Sequence, residues 1–183
     1  NGYDPNIKWE ETTTYNIGID FGFLNNRISG SLDYYYRKTN DLISRIPVPA
    51  GSNLTNEIYT NIGSLRNEGI EFGINAKPIV NNRVQWDIGF NIAWNSNKIT
   101  KLNKSNDPDY YIPVGGISGG TGNTVQAHKV GYPAFSYLLY EQVYDQEGKP
   151  IEGLYVDRNG DGIIDEADKR LYKSRDPKVV MSI

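Results

Sequence analysis

Val84-Gln85-Trp86-Asp87-Ile88-Gly89-Phe90-Asn91-Ile92-Ala93-Trp94-Asn95 decides the fold. Val84, Trp86, Ile88, Phe90, Ile92 and Trp94 alternate with Gln85, Asp87, Gly89, Asn91, Ala93 and Asn95. Successive side chains of a strand point to opposite faces, so this run predicts a strand with one oily and one polar side. Three further segments repeat the pattern. In 13–23, Thr13, Tyr15, Ile17, Ile19, Phe21 and Phe23 oppose Thr14, Asn16, Gly18, Asp20 and Gly22. In 27–37, Ile28, Leu32, Tyr34 and Tyr36 oppose Ser29, Ser31, Asp33 and Arg37, with Gly30 and Tyr35 as the blemishes; in 69–76, Ile70, Phe72, Ile74 and Ala76 oppose Glu71, Gly73 and Asn75. No apolar stripe at helical spacing competes with these runs.

Short and long connections alternate between the strands. Leu24-Asn25-Asn26-Arg27 and Val80-Asn81-Asn82-Arg83 read as two copies of one tight hairpin, their paired Asn residues tolerating left-handed backbone. Between the hairpins, residues 38–66 read as a long connection with Pro47, Pro49 and Gly51. A second long stretch begins near Asn97 and contains the glycine-rich 115–122 run. Short turns on one rim and long loops on the other are the habit of outer-membrane barrels. Trp86 and Trp94 share a face eight residues apart, roughly 26 Å along a strand and about 19 Å along the membrane normal at a 45° tilt. That spacing suits two interfacial aromatic girdles.

Composition agrees with strands that meet a membrane. Hydrophobic residues make up 38% and mean hydropathy is −0.57, yet 12% of residues are aromatic and 14 are Tyr, a residue suited to surfaces that are part oily and part wet. No run approaches the roughly 18 apolar residues of a helical span, so a membrane role must use strands. The net charge of −3, with Lys and Arg scattered, argues against nucleic acid. Cysteine is absent, which excludes a disulfide framework and a thiolate metal site. The opening Asn1-Gly2-Tyr3-Asp4-Pro5 is turn-like and has no secretory signal character, so the segment is expected to start inside a longer protein or to have lost its leader.

These features predict an all-β chain: antiparallel strands of a large transmembrane β-barrel that this chain does not close, with long extracellular loops. About residues 8–96 would form two spanning hairpins. Residues 97–176 would form an extracellular excursion, and 177–183 would start the next strand. Residues 130–144 read as a strand buried on both faces.

The one compact constellation is Asp157-Arg158-Asn159-Gly160-Asp161-Gly162-Ile163-Ile164-Asp165-Glu166-Ala167-Asp168. It matches the twelve-residue calcium loop, in which positions 1, 3, 5, 7, 9 and 12 converge on the ion. Here those are Asp157, Asn159, Asp161, the Ile163 carbonyl, Asp165 and Asp168, with Gly162 at the sharp turn and Ile163 or Ile164 tucked against neighbours. Asp168 stands where a bidentate Glu is usual, which predicts a weaker, structural Ca2+ site. Without metal, the same residues read as a run of Asx turns.

No enzyme is predicted. His128 is the only histidine, has no nucleophile at motif spacing and reads as a loop residue. The glycine run lacks the ending of a phosphate loop. Glu68 and Glu71, with Asp20, Asp33 and Asp87, read as scattered lumen carboxylates rather than a glycosidase pair. The rival architecture is a secreted calcium-binding β-sandwich or carbohydrate-binding module, whose apolar faces would pack together in a closed interior.

Several stretches together carry a family resemblance. Trp9-Glu10-Glu11-Thr12-Thr13-Thr14-Tyr15-Asn16-Ile17-Gly18-Ile19-Asp20-Phe21-Gly22 resembles a strand opening of SusC/RagA-family TonB-dependent receptors. Residues 32–43 (Leu-Asp-Tyr-Tyr-Tyr-Arg-Lys-Thr-Asn-Asp-Leu-Ile), residues 61–71, Val130-Gly131-Tyr132-Pro133, the 157–168 loop and Asp176-Pro177 follow in the family's order. The resemblance implies an energy-coupled importer of the Gram-negative outer membrane. Its barrel of about 22 strands would be plugged by an N-terminal domain, capped by a SusD-like surface lipoprotein and driven by the TonB complex through that N-terminal part, which is absent here. Substrates would be oligosaccharides or peptides. Apolar faces would meet lipid and polar faces the plugged lumen, while loop tyrosines such as Tyr110, Tyr111 and Tyr155 would be candidates for stacking on sugar rings.

Overall fold

The computed structural model describes residues 4–49, 51, 56–102, 107–117 and 124–183. Its largest sheet is antiparallel, in the order β1 (Glu11–Phe23), β2 (Ile28–Pro47), β3 (Glu57–Val80), β4 (Gln85–Leu102) and β11 (Val179–Ser182). Register turns the alternation of single strands into continuous surfaces. Ile19, Leu32, Phe72, Ile92 and Met181 form one cross-strand row, and Ile17, Tyr34, Ile70, Trp94 and Val179 form the next. The opposite face carries Asp20, Ser31, Gly73, Asn91 and Ser182.

Among the described residues no second layer covers the apolar rows. Ile17 is 71% exposed, Ile19 63% and Trp94 43%, so the closed interior of a sandwich is missing among the described residues. A row of exposed Ile, Phe, Trp and Met is unfavourable in water and favourable in hydrocarbon. The edges of the sheet, β1 and β11, are also open, and the ring is not closed by this chain.

Tyr35 breaks the polar face in sequence but not in structure. Its ring lies over Gly69, where a Cβ would come within 2.7 Å of it, and its hydroxyl donates to Asn95 Oδ1 at 2.6 Å. The two Asn-Asn turns differ. In the first, Leu24, Asn25 and Asn26 all take left-handed φ (55°, 54° and 60°), as expected for Asn. In the second, Asn81 and Asn82 keep negative φ, and Asn81 Oδ1 instead accepts from the backbone N–H of Arg83 and Val84 at 2.9 and 2.8 Å. Asn serves the second turn as a side-chain acceptor, not as a left-handed residue.

The strands run much further than their alternation. β2 continues to Pro47 and β3 begins at Glu57, so most of the 38–66 stretch expected as a loop is strand, joined by residues 48–56. The pattern is lost there because the register shifts between Thr39 and Leu42, where Asp41 takes φ 53°, and again between Ser64 and Leu65 against β4. Each bulge resets which residues face inward.

This extended end carries the only core among the described residues. Ile46, Ile62, Ile99 and Leu102 of the large sheet bury against Ile112 and Ala134, with Leu65, Tyr110, Val114 and Phe135 around them. Leu65 and Ile99 share the parity of Asn67 and Asn97, so the packing is on the polar side of the wall. Its lid is a second antiparallel sheet, ordered β10 (Arg170–Ser174), β7 (Ser136–Leu139), β6 (Thr124–Lys129) and β5 (Tyr111–Gly116). A two-stranded hairpin of β8 (Gln142–Tyr144) and β9 (Pro150–Tyr155) stands beside it. Residues 130–144 are therefore a bend followed by pieces of two sheets, not one doubly buried strand. The bend is pinned to β4: Ile99 N–H donates to Tyr132 O, Gly131 N–H to Ile99 O and Ala134 N–H to Asn97 Oδ1, at 2.7–2.9 Å.

Candidate functional site

Two surfaces offer chemistry, and both sit on the polar side of the wall. The first is the polar face itself, where Asn16, Asp33, Tyr35, Arg37, Asn67 and Glu71 line an open trough of about 600 Å³. Asp33 and Glu71 are direct cross-strand partners there. Glu68, by contrast, faces the other way and reaches Arg66 at 3.4 Å, so Glu68 and Glu71 do not converge as an acid and base would.

The second surface is the excursion. Ile112 and Val114 point into the core, so their neighbours Tyr111 and Pro113 point away from the wall. Tyr111 pairs with Lys129 and, with Asp109, Tyr132, Glu166, Lys169 and Arg170, lines a cleft of about 490 Å³. Every cation of the cleft is matched: Lys129 to Asp109 at 2.9 Å, Lys169 to Glu166 at 2.5 Å, and Arg170 to Glu141 at 3.0 Å. Tyr111 hydroxyl meets Glu166 Oε2 at 3.5 Å, and burial followed by the Glu166 charge pushes its ionisation up, so it remains a neutral donor. Of the other two tyrosines singled out from sequence, Tyr110 packs on the core and Tyr155 rests on Tyr140 with ring centroids 5.3 Å apart.

His128 is a strand residue of β6, not a loop residue. It packs edge-on to Phe135 at 4.7 Å, and Arg175 lies 4.0 Å over the other partner of that pair, the Phe135 ring. Burial, then the Arg175 charge, lowers its pKa, and its Nε2 is buried without a hydrogen-bond partner. Of the glycine run, residues 118–122 lie outside the described residues.

The 157–168 loop is built from side-chain-to-backbone bonds. Asp157 accepts from Gly160 and Gly162 N–H, both at 2.7 Å; Asn159 from Asp161 N–H at 3.0 Å; and Asp161 from Ile163 N–H at 2.8 Å. Gly160 and Gly162 adopt φ of 74° and 82°, which a side chain would resist. Asp165 caps a short 3-10 turn, Glu166–Asp168, by accepting from Ala167 N–H at 2.8 Å. Asp168 is fully buried and closes the loop, accepting from Arg158 and Asp165 N–H at 2.7 and 2.9 Å. Those backbone donors, Asp165 first and Arg158 next, hold its carboxyl below the usual range. The donors are hard oxygens, as calcium requires. They are turned to the loop's own amides, however, and no group of three or more His, Cys, Asp or Glu is gathered for a metal among the described residues. Ile163 and Ile164, expected to tuck inward, are 63% and 42% exposed. Arg158, beside them, anchors the loop to Glu141 at 2.8 Å.

Comparison with known proteins decides what such a wall belongs to. A family model described as TonB dependent receptor-like, beta-barrel matches residues 1–165. The chain belongs to that family. TonB-dependent receptor SusC of Bacteroides thetaiotaomicron is 53% identical over 182 residues, covering 99% of this chain and 18% of SusC. TonB-dependent receptor P3 of Formosa agariphila is 32% identical, covering 97% of this chain and 19% of its own length. Among solved structures, that of the RagAB peptide transporter superposes with a TM-score of 0.73 at 25% identity, over 97% of this chain and 19% of the other. The RagAB importer in its 'open-open' state gives 0.68 at 25% identity, with 96% and 19% covered. The chain thus spans less than a fifth of these receptors and represents part of a TonB-dependent receptor barrel, a class of receptors and not of enzymes.

Proposed function

We propose that this chain is a wall segment and extracellular mouth of an outer-membrane importer that takes up oligosaccharides or peptides. The importer would be capped by a SusD-like lipoprotein and powered by the TonB complex through an N-terminal part outside this chain. The observation that carries the reading is the two-sided large sheet: register-aligned Ile, Phe, Trp and Met rows stand exposed on one face, and Asp, Asn, Ser and Gly rows on the other. Membership of the receptor family and the likeness to SusC support it. Apolar rows meet lipid, the polar face lines the lumen, and the excursion folds over the lumen side of the mouth.

Of the two substrate classes, the excursion cleft favours a neutral oligosaccharide. Tyrosine faces stack on pyranose rings, and paired ions of both signs offer donors and acceptors to hydroxyls while leaving no lone charge for a peptide terminus. The peptide named for the RagAB relative is the competing class. Uptake by cells carrying the full-length receptor tests both: Tyr111→Ala with Tyr132→Ala lowers growth on an oligosaccharide and leaves peptide uptake unchanged. The reverse result assigns peptides.

The 157–168 loop is proposed as a calcium clamp on the mouth, held by Asp157, Asn159, Asp161, the Ile163 carbonyl, Asp165 and Asp168. The spacing and the all-oxygen donor set support it. Bound calcium would replace amide partners with a fixed charge and stiffen the loop against β7 and β10. Isothermal titration of the receptor should show a saturable calcium heat that Asp161→Ala removes; an identical heat in that variant refutes the clamp.

A further inference from the structure

The lipid-side face does not end in water at its aromatic girdle. Above the Ile17, Tyr34, Ile70 and Trp94 row stands Tyr15, Tyr36, Glu68 and Ser96, and above that Thr13, Lys38, Arg66 and Lys98. No bulge intervenes, since the first register shifts lie beyond Thr39 and Leu65, so these three cations point the same way as Ile19 and Trp94. Adjacent strands are about 4.8 Å apart, which places Lys38 to Lys98 within roughly 10 Å.

Lys38 and Lys98 are exposed and take part in no ion pair among the described residues; Arg66 shares only the 3.4 Å contact with Glu68, one row below. Like charges placed directly opposite on neighbouring strands are destabilising unless an anion sits between them. Lys38 and Arg66 also line a shallow outward groove with Tyr36, Thr100 and Lys101, with Glu11 and Asp41 among the other lining residues. The row lies four residues beyond Trp94, about 9 Å further along the membrane normal at a 45° tilt. Aromatic girdles mark the headgroup boundary, so cations one step outside them lie at the level of lipid phosphates. The long loops put this level at the external leaflet.

We propose that Lys38, Arg66 and Lys98 form a phosphate-binding row for a phosphorylated glycolipid of the outer leaflet. The row extends the lipid-facing wall into the headgroup layer, and the assignment rests on the importer reading in needing lipid at this face. Each cation contributes roughly five-fold to the affinity for an anionic headgroup, and the three together on the order of a hundred-fold.

The test uses the full-length receptor in phosphatidylcholine nanodiscs titrated with lipid A carrying its phosphate, followed by native mass spectrometry. Saturable binding is expected, weakened about a hundred-fold by Lys38→Gln, Arg66→Gln and Lys98→Gln together and about five-fold by Lys98→Gln alone. Lipid A stripped of phosphate should bind the parent and the triple variant equally poorly. Binding that ignores the phosphate, or a triple variant that matches the parent, overturns the proposal. A fluorophore at Ile19→Cys in the same nanodiscs separates this from the importer reading: quenching by a lipid-borne quencher is required by that reading, whatever the phosphate row does. If the triple variant does not insert, Lys98→Gln alone carries the decision.

Discussion

Replacing Ile19 by Arg in the full-length receptor distinguishes lipid from water as the medium of the apolar face. Ile19 stands in the row with Leu32, Phe72, Ile92 and Met181, one row from the midpoint between Trp86 and Trp94, or about 5 Å along the membrane normal. An arginine near the middle of a lipid-facing barrel wall costs about 2–4 kcal/mol. At an exposed position on a water-soluble sheet, the same change falls within about 0.5 kcal/mol of zero. The neighbouring Asp20 supplies the internal control, because Asp20→Arg puts the same side chain on the polar face, opposite Ser31. Reversible unfolding by guanidinium in phospholipid vesicles, with the slope of each transition compared, yields both free energies. Ile19→Arg should lose about 2–4 kcal/mol and Asp20→Arg less than a quarter of that. Equal costs, or a neutral Ile19→Arg, would mean that the rows do not meet lipid.

His128 gives the mouth a pH dependence of defined sign. Its pKa is lowered in the folded state by burial and Arg175, so the unfolded chain binds the extra proton first. Stability of the excursion is full above about 6.5 and falls as pH drops below it; His128→Gln flattens that slope in hydrogen exchange of β5 to β7. Asp168 is also shifted downward, so its contribution is full above the usual carboxylate range and is lost only as pH falls through its lowered pKa; loop protection should survive at pH 4.5 unless Asp168→Asn is introduced. Gly162→Ala forces an L side chain to φ 82°, which costs roughly 1–2 kcal/mol and opens the loop to protease. Glu141→Gln releases Arg158 and Arg170 together; at one-third exposure of Glu141, the loss is about 1 kcal/mol, read as faster cleavage within 157–168.

The membrane half of the sheet was legible because one physical rule governed every residue of it. From Tyr15 to Phe23 and from Ile88 to Trp94, each side chain meets a single medium, so period two survives unbroken and register simply aligns it. Beyond Thr39 and Leu65 that rule lapses. Bulges at Asp41 and near Thr100 shift the parity, and Leu42, Ile46 and Ile62 turn into a protein core, so alternation no longer marks a strand. The tight turns were readable as turns, but their mechanism was not, since Asn offers both a left-handed backbone and a side-chain acceptor. The loop at 157–168 was visible through its spacing, and its Asx turns are those that spacing allows. The burial of Asp168 among the loop's own amides, the exposure of Ile163 and the tie from Arg158 to Glu141, 17 residues earlier, are not written in that spacing. The cationic row was hidden for a related reason. Lys38, Arg66 and Lys98 are unremarkable one at a time, and only the pairing of three strands sets them side by side.

The contrast between the two ends of the same sheet also explains why the core lies where it does. Within the bilayer the wall needs no packing partner on its apolar side, because lipid removes that surface from water. In the proposed importer the strands run on above the bilayer for about ten residues without lipid, and two-sided β-ribbons in water are marginal unless one face is covered. The chain covers it from the polar side with β5 to β7, placing Ile112, Val114 and Phe135 on Ile62, Leu65 and Ile99. Truncating that contact with Ile112→Ala should therefore unfold the mouth without unfolding the wall. Ile112 is 3% exposed, so the loss is about 2–5 kcal/mol, confined to exchange protection in β5, β6 and the outer thirds of β2 to β4. Amides between Ile70 and Ala76 should keep the protection of the parent. If they lose it together with the mouth, wall and mouth form one cooperative unit, and lipid contributes less to the wall than its exposed rows require.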